Sequence, residues 1–213
     1  MMSTQIFAIR HGETDWNRAA RIQGHTDIPL NAEGLAQAAL VGAALAGESL
    51  AAIYSSDLQR ARQTADAIAA RNGALLFEDA ALRERSFGRF EGHCWDEIAA
   101  NWPEDSRRWR QREPGFAPGG GESLEVFYAR CVGALERVAR AHEGAAIAVV
   151  AHGGVLDCFY RAATRVDLQA PRAWALGNAT INRLLWTGEG FTLIGWNDDH
   201  HLQAQNLDEA AAA

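Results

Sequence analysis

The sequence predicts an α/β fold: a three-layer α/β/α sandwich on a mostly parallel sheet, with one antiparallel edge and a small helical or loop-built cap inserted into it. Three observations carry this. Short apolar runs alternate with amphipathic helical patterns along most of the chain. Residues 145–151 are apolar at every position, as expected of a strand buried on both faces. Near the C-terminal end, two strand-like runs flank Gly188-Glu189-Gly190, the pattern of a hairpin and therefore of antiparallel strands.

Taken in order, Ile6-Phe7-Ala8-Ile9 is the first strand, ended by Arg10-His11-Gly12. Asn31 caps a helix over 32–46, with Leu35, Ala38, Ala39, Gly42 and Leu45 as its apolar stripe. Residues 51–55 form a second strand. Asp57 then caps a helix whose stripe is Leu58, Ala61, Ala65, Ile68 and Ala69, stopped by Gly73. Residues 74–77 read as a third strand. From 82 to 121 the periodicity is lost, and Trp95, Trp102, Pro103, Trp109 and Pro114 mark an insertion whose fold the pattern does not give. Ser123 caps a long helix with Leu124, Phe127, Tyr128, Cys131, Leu135 and Val138 turned inward, stopped by Gly144. The 145–151 strand ends in His152-Gly153-Gly154 and passes into a helix through 155–163. Residues 183–186 and 191–194 form the hairpin, and 208–213 read as a frayed tail.

Length and composition narrow the function classes. A chain of 213 residues reads as one domain over 1–213, large enough to bury a real core. Three cysteines with no Cys-x-x-Cys spacing exclude a disulfide framework and a zinc ribbon. A net charge of −7 argues against a nucleic-acid partner, while leaving room for a local arginine cluster that binds an anion. Neither a leader nor an apolar stretch of membrane-spanning length is read, so the expectation is a cytoplasmic protein with no membrane partner. A monomer or a homodimer is expected, the hairpin edge near Phe191 being where a second copy could pair.

Parallel sheets bind ligands beyond the carboxyl ends of their strands. Here those ends deliver Arg10-His11-Gly12, Ser55-Ser56-Asp57 with Arg60 and Arg62 following, and His152-Gly153-Gly154. Arginine presents a planar fork of donors that matches phosphate oxygens. Histidine can be a nucleophile, a proton carrier or a metal ligand, and arginines crowding it keep it neutral. A covalent phosphohistidine would split one hard displacement into two easier ones. The leaving alkoxide then needs a proton, and Glu84, soon after the third strand, is the best-placed carboxylate.

These residues also carry a resemblance. Arg10-His11-Gly12-Glu13-Thr14-Asp15-Trp16-Asn17, Arg21-Ile22-Gln23-Gly24, the run from Ser55 through Arg60 to Ala65, Leu82-Arg83-Glu84, and Ala151-His152-Gly153-Gly154 together resemble the histidine phosphatase superfamily, in its phosphoglycerate-mutase-like branch. The likeness extends through Phe87-Gly88-Arg89-Phe90-Glu91-Gly92 and Pro118-Gly119-Gly120-Gly121-Glu122-Ser123 and covers nearly the whole chain. It implies His11 as the phosphorylated nucleophile, Arg10, Arg60 and His152 as holders of the phosphoryl oxygens, and Glu84 as proton donor. It further implies Asn17, Gln23, Gly24 and Gly153 lining the pocket, with Arg62 as a further substrate-binding candidate. No metal and no cofactor is implied; the partner is a small phosphorylated metabolite. Arg85-Ser86-Phe87-Gly88 replaces the Arg-His-Tyr-Gly run of the mutases, which turns the reading toward a metal-independent phosphomonoesterase of the α-ribazole-phosphatase-like or broad-specificity type. A phosphoglycerate mutase using the same phosphohistidine is the alternative. Arg107, Arg108, Arg110 and Arg112 read either as a solvated helix face or as a binding site for a second anion. A metal-dependent hydrolase and a catalytically idle phosphate binder are the competing classes.

Overall fold

The structure is a computed structural model and describes residues 2–203, so the tail expected over 208–213 lies outside the described residues. Six strands form one sheet in the order β3-β2-β4-β1-β5-β6, where β1 is Thr4–Arg10, β2 Leu50–Ser55, β3 Leu76–Glu78, β4 Ala146–Ala151, β5 Ile181–Thr187 and β6 Gly190–Asp198. β1, β2, β3 and β4 run parallel; the hairpin of β5 and β6 closes the β1 side antiparallel. The central strands are apolar because both faces are covered. Phe7, Ile9, Ile53, Ala148 and Val150 point to one face, where they meet Val41 and Leu45 and, from the next helix, Ala61, Ala65 and Ile68. Ile6, Ala8, Ile147 and Val149 point to the other, against Phe127, Cys131, Leu135, Leu156 and Phe159. This alternation is the period-2 geometry of a strand.

The helices are α1 (Asp15–Arg18), α2 (Ala32–Ala44), α3 (Gln59–Asn72), α4 (Trp95–Asn101), α5 (Pro103–Arg110), α6 (Leu124–Arg140) and α7 (Gly153–Thr164). Asn31 caps α2 as expected, its side chain accepting from the Gly34 amide at 2.8 Å. Ala38, Gly42 and Leu45 of the expected stripe are buried, but Leu35 is 51% exposed and Ala39 is exposed too, with Gly34 and Val41 turned inward in their place. The backbone is pressed too close there for larger side chains. A Cβ on Gly34 would sit 2.0 Å from the Glu13 carbonyl oxygen, and one on Gly42 2.5 Å from that of Ala67.

Asp57 does not cap α3. Its carboxylate accepts from Arg83 Nε at 2.7 Å, tying the start of the insertion to the sheet rim. The helix takes its cap from a distant loop instead: Asp27 Oδ1 accepts from the Gln59 amide at 2.8 Å. β3 starts two residues and ends one residue later than the expected 74–77 and is an edge strand, with Leu75 just before it and Phe77 within it exposed. The insertion is more ordered than the sequence predicts. It holds α4 and α5, the second begun by Pro103 at its first turn. Phe90, Ile98 and Phe116 form its own small core, flanked by Ile22, Phe87, Trp102 and Trp109.

Candidate active site

Sheet register brings the two histidines together. Arg10 of β1 pairs with Ala151 of β4, and one residue further the His11 amide donates to the Ala151 carbonyl at 3.0 Å. His11 and His152 therefore leave adjacent parallel strands side by side, with ring centroids 5.1 Å apart and planes at 60°. α3 leaves the rim beside them and carries Arg60 inward to 1% exposure. Thr64, one turn on, accepts from the Gly12 amide at 3.1 Å and so fixes the loop that holds His11.

The His11 tautomer follows from its neighbour. Nδ1 lies 2.7 Å from the Gly12 carbonyl oxygen, which can only accept, so Nδ1 carries the proton and Nε2 the lone pair. Burial, then the charges of Arg60 and Arg10, hold the His11 pKa well below its ordinary value. Burial and Arg60 do the same to His152. Both rings are thus neutral at physiological pH. The two arginines are depressed to about 10, mainly by burial, with Glu84 opposing the shift, and they remain cationic.

A cavity of about 150 Å³ lies over His11, lined by Arg10, Asn17, Arg21, Gln23, Gly24, Arg60, Glu84 and Gly153. The expected site residues Asn17, Gln23, Gly24 and Gly153 are therefore at the pocket with Arg10, His11, Arg60 and Glu84. His152 does not line it; the ring backs His11. Arg62 is elsewhere: its guanidinium turns outward to Asp66 and Glu78, and it takes no part in the cavity. At about 100° per residue, two positions turn Arg62 about 200° away from Arg60, so of the two it is Arg60 that faces the sheet rim. Arg10 Nε, Arg60 Nε, Gln23 Oε1 and both His152 ring nitrogens are buried with no partner among the described residues. Unpaired buried polar atoms are costly, and their clustering here marks a place built for a polar guest.

Glu84 stands at a junction. Its Oε1 accepts from the Arg85 amide and its Oε2 from the Gly154 amide at the start of α7, each at 2.8 Å. A Cβ on Gly154 would lie 2.2 Å from Glu84 Oε1, so a larger residue there would displace this carboxylate. On its far side a second, larger chamber of about 670 Å³ opens under the insertion, walled by Phe87, Trp95, Trp109 and Phe127. Among the described residues, only Glu84 and Phe87 line both spaces.

Several supporting residues are invisible to motif reading. Asn178 Nδ2 donates to the carbonyls of His11 (3.0 Å) and Gly12 (3.2 Å), strapping the His11 loop from the segment before β5. Arg130 of α6 donates to the carbonyls of Ala81, Arg83 and Glu84 and pairs with Glu122 at 2.7 Å, while Glu122 accepts from the Ser86 amide. This bracket holds the backbone that carries Glu84. His25 adds a contact to the Glu84 carbonyl at 2.9 Å. The polar Gly177-Asn178-Ala179-Thr180 run was the one available signal for the strap; nothing local marks Arg130.

The arrangement is a neutral imidazole at a cationic pocket, with a carboxyl at the entrance to a separate chamber. That is equipment for moving a phosphoryl group from an alcohol to a histidine. The chain is 39% identical over 203 residues to a phosphoglycerate mutase-like protein of Arabidopsis thaliana, covering 93% of this chain and 87% of that one. It is 39% identical over 204 residues to a metal-independent phosphoserine phosphatase of the same plant, covering 94% and 84%. Among solved structures, a phosphoserine phosphatase from Entamoeba histolytica, crystallised with 3-phosphoglyceric acid, superposes with a TM-score of 0.84 at 29% identity over 93% of this chain and 99% of that one. The model of the histidine phosphatase superfamily (branch 1) matches residues 6–199, and this chain belongs to that superfamily.

Proposed function

We propose that the protein is a phosphoric monoester hydrolase of small metabolites that works through a phosphohistidine on His11 and needs no metal. The observation that carries this reading is the fixed tautomer. With Nδ1 donating to Gly12, the lone pair of Nε2 is the ring's nucleophile, and the ring is neutral. Arg10 and Arg60 neutralise the phosphoryl oxygens, which is most of what phosphoryl transfer demands of a protein. Glu84, between the chambers, protonates the departing alkoxide. It then takes a proton from the water that attacks phospho-His11, releasing inorganic phosphate. The similarity to a metal-independent phosphoserine phosphatase of Arabidopsis supports a reaction without metal.

A second reading keeps the first half of this scheme and returns the phosphoryl group to an alcohol instead of to water. It is favoured by the mutase-like relative. A panel of phosphate esters, with and without a bisphosphoglycerate and with and without a chelator, separates the possibilities. Chelator-resistant release of phosphate without the bisphosphate supports the phosphatase. Isomerisation that requires the bisphosphate supports the mutase. Activity lost to chelator and restored by one divalent ion sinks both. We place the protein in the cytoplasm, a setting that suits its free cysteines Cys94, Cys131 and Cys158. No helix among the described residues is long and apolar enough to cross a membrane.

A further inference from the structure

Glu91 belongs to the run Phe87-Gly88-Arg89-Phe90-Glu91-Gly92, and among the described residues it lines neither chamber. Its carboxylate is bonded within the protein instead. Oε1 accepts from the His25 amide at 3.0 Å and from the Phe87 amide at 3.1 Å. Oε2 accepts from the Thr26 hydroxyl at 2.7 Å and from the Thr26 amide at 3.0 Å, an amide it shares with the Gln23 carbonyl. Each oxygen thus faces at least one backbone amide, which can only donate, so a glutamine would set its NH2 against a donor whichever way it turned. Bonds to an ionised carboxylate are also the stronger kind. The fit is close: Gly24 has a φ of +55°, and a Cβ on it would lie 2.2 Å from Glu91 Oε1.

The segment that Glu91 gathers is also the one that holds Arg60. The Gly24 carbonyl accepts from Arg60 Nη2 at 2.8 Å, and the Thr26 carbonyl accepts from Nη1 at 3.0 Å. The Gly24 carbonyl and the His25 amide are two ends of one peptide unit, planar and trans, so they point in opposite directions. Glu91 binds one end of that unit and Arg60 the other. Fixing the amide therefore aims the carbonyl, and each bond polarises the next. With both terminal nitrogens held in this way, Arg60 Nε is left buried at the phosphate cavity, with no partner among the described residues. Burial lowers the Arg60 pKa to about 10, and the charges of Glu84, Asp27 and Glu91 oppose that shift.

We propose that Glu91 is a positioning residue for phosphoryl transfer: through the Gly24–His25 peptide it aims Arg60 at the phosphoryl group without touching that group. This rests on the phosphomonoesterase reading and adds the residue that orients one of its two cations. A charge held in place beforehand stabilises a transition state more than one that must reorient during the reaction. The contribution of Glu91 to rate therefore exists only while Arg60 is there to be aimed.

The test is a double-mutant cycle on the full chain with Glu91→Gln and Arg60→Gln, read as kcat/KM on p-nitrophenyl phosphate. The leaving group of that ester needs no proton, which sets aside the contact of His25 with the Glu84 carbonyl. Glu91→Gln should lower kcat/KM about tenfold in the parent and less than about twofold in Arg60→Gln. The same cycle read by calorimetry, as affinity for inorganic phosphate, needs no turnover and should show the same pattern: a loss in the parent that disappears in Arg60→Gln. A residue that only holds the loop together would cost the same factor in both backgrounds, and that result overturns the proposal. So does a Glu91→Gln protein that matches the parent in rate and in phosphate affinity. If a melting curve shows that Glu91→Gln does not fold, Thr26→Val takes its place. It removes one donor to the carboxylate and leaves the backbone, and about a threefold loss is expected in the parent and none in Arg60→Gln. The two readings fail separately. A parent that releases phosphate from no ester removes the phosphatase, while the calorimetric cycle still decides whether Glu91 aims Arg60.

Discussion

The two chambers meet at Glu84 but are built by different physics. The phosphate cavity is made of strand ends and the first turns that follow them, held by backbone hydrogen bonds and sheet register. Its walls are rigid because the strands behind them are buried on both faces. The larger chamber is walled by side chains of an insertion with a small aromatic core of its own. On the proposed function, the first region carries the chemistry and the second meets the alcohol half of the substrate. Loops on a rigid scaffold divide labour in this way generally.

The comparison can be broken at several points, and the expected effects fall in size from the first chamber outward. His11→Ala removes the nucleophile and should lower kcat by about 10³-fold or more on every ester, measured as phosphate release. Arg60→Gln deletes a buried cation from the phosphate side and should cost about 10²-fold or more, again on every ester. Arg130→Met loosens the bracket behind Glu84. Its loss should be about tenfold on alkyl phosphates and clearly smaller on p-nitrophenyl phosphate, whose leaving group needs no proton. Equal losses on the two would make Arg130 a scaffold residue with no bearing on proton transfer. Arg62→Gln should stay within about twofold in rate and about 0.5 kcal/mol in stability, since its exposed ion pairs are weak.

The buried histidines add a pH dependence. Both are held well below their ordinary pKa in the folded chain and return to about 6.5 when it unfolds. Below that pH the unfolded state binds more protons, so the stability present at neutral pH is lost as pH falls. Each histidine contributes a limiting slope of about 1.4 kcal/mol per pH unit. Denaturant melts at pH 7 to 5 should therefore show proton uptake on unfolding, reduced by about one proton in His152→Gln. An unchanged uptake would mean that His152 is already protonated in the fold.

Legibility in the sequence follows the same division. Strand ends and helix starts are local, so Arg10-His11-Gly12, His152-Gly153-Gly154 and the strand-helix order could be read directly, and register alone then brought them together. Arg62 misled because two arginines two positions apart sit on different sides of a helix, and only packing decides which one faces in. Asp57 misled because its carboxylate found Arg83, while Asp27, far away in sequence, supplied the cap. The insertion was opaque for a related reason. Its helices are short and held by aromatic stacking, such as Phe90 on Trp102 at 5.8 Å, and not by a long apolar stripe. Asn178 and Arg130 act through carbonyls more than 45 residues away, a relation no local pattern encodes.

The central claim is that the phosphoryl group passes to His11. Mixing the enzyme with a radiolabelled phosphate ester, denaturing it within the first turnover and mapping the labelled peptide tests this directly. The account predicts label that is lost in acid, survives in base, sits on the peptide containing His11 and is absent from His11→Ala. Acid-stable label, label on another residue, or a His11→Ala enzyme that turns over at the parent rate would contradict it.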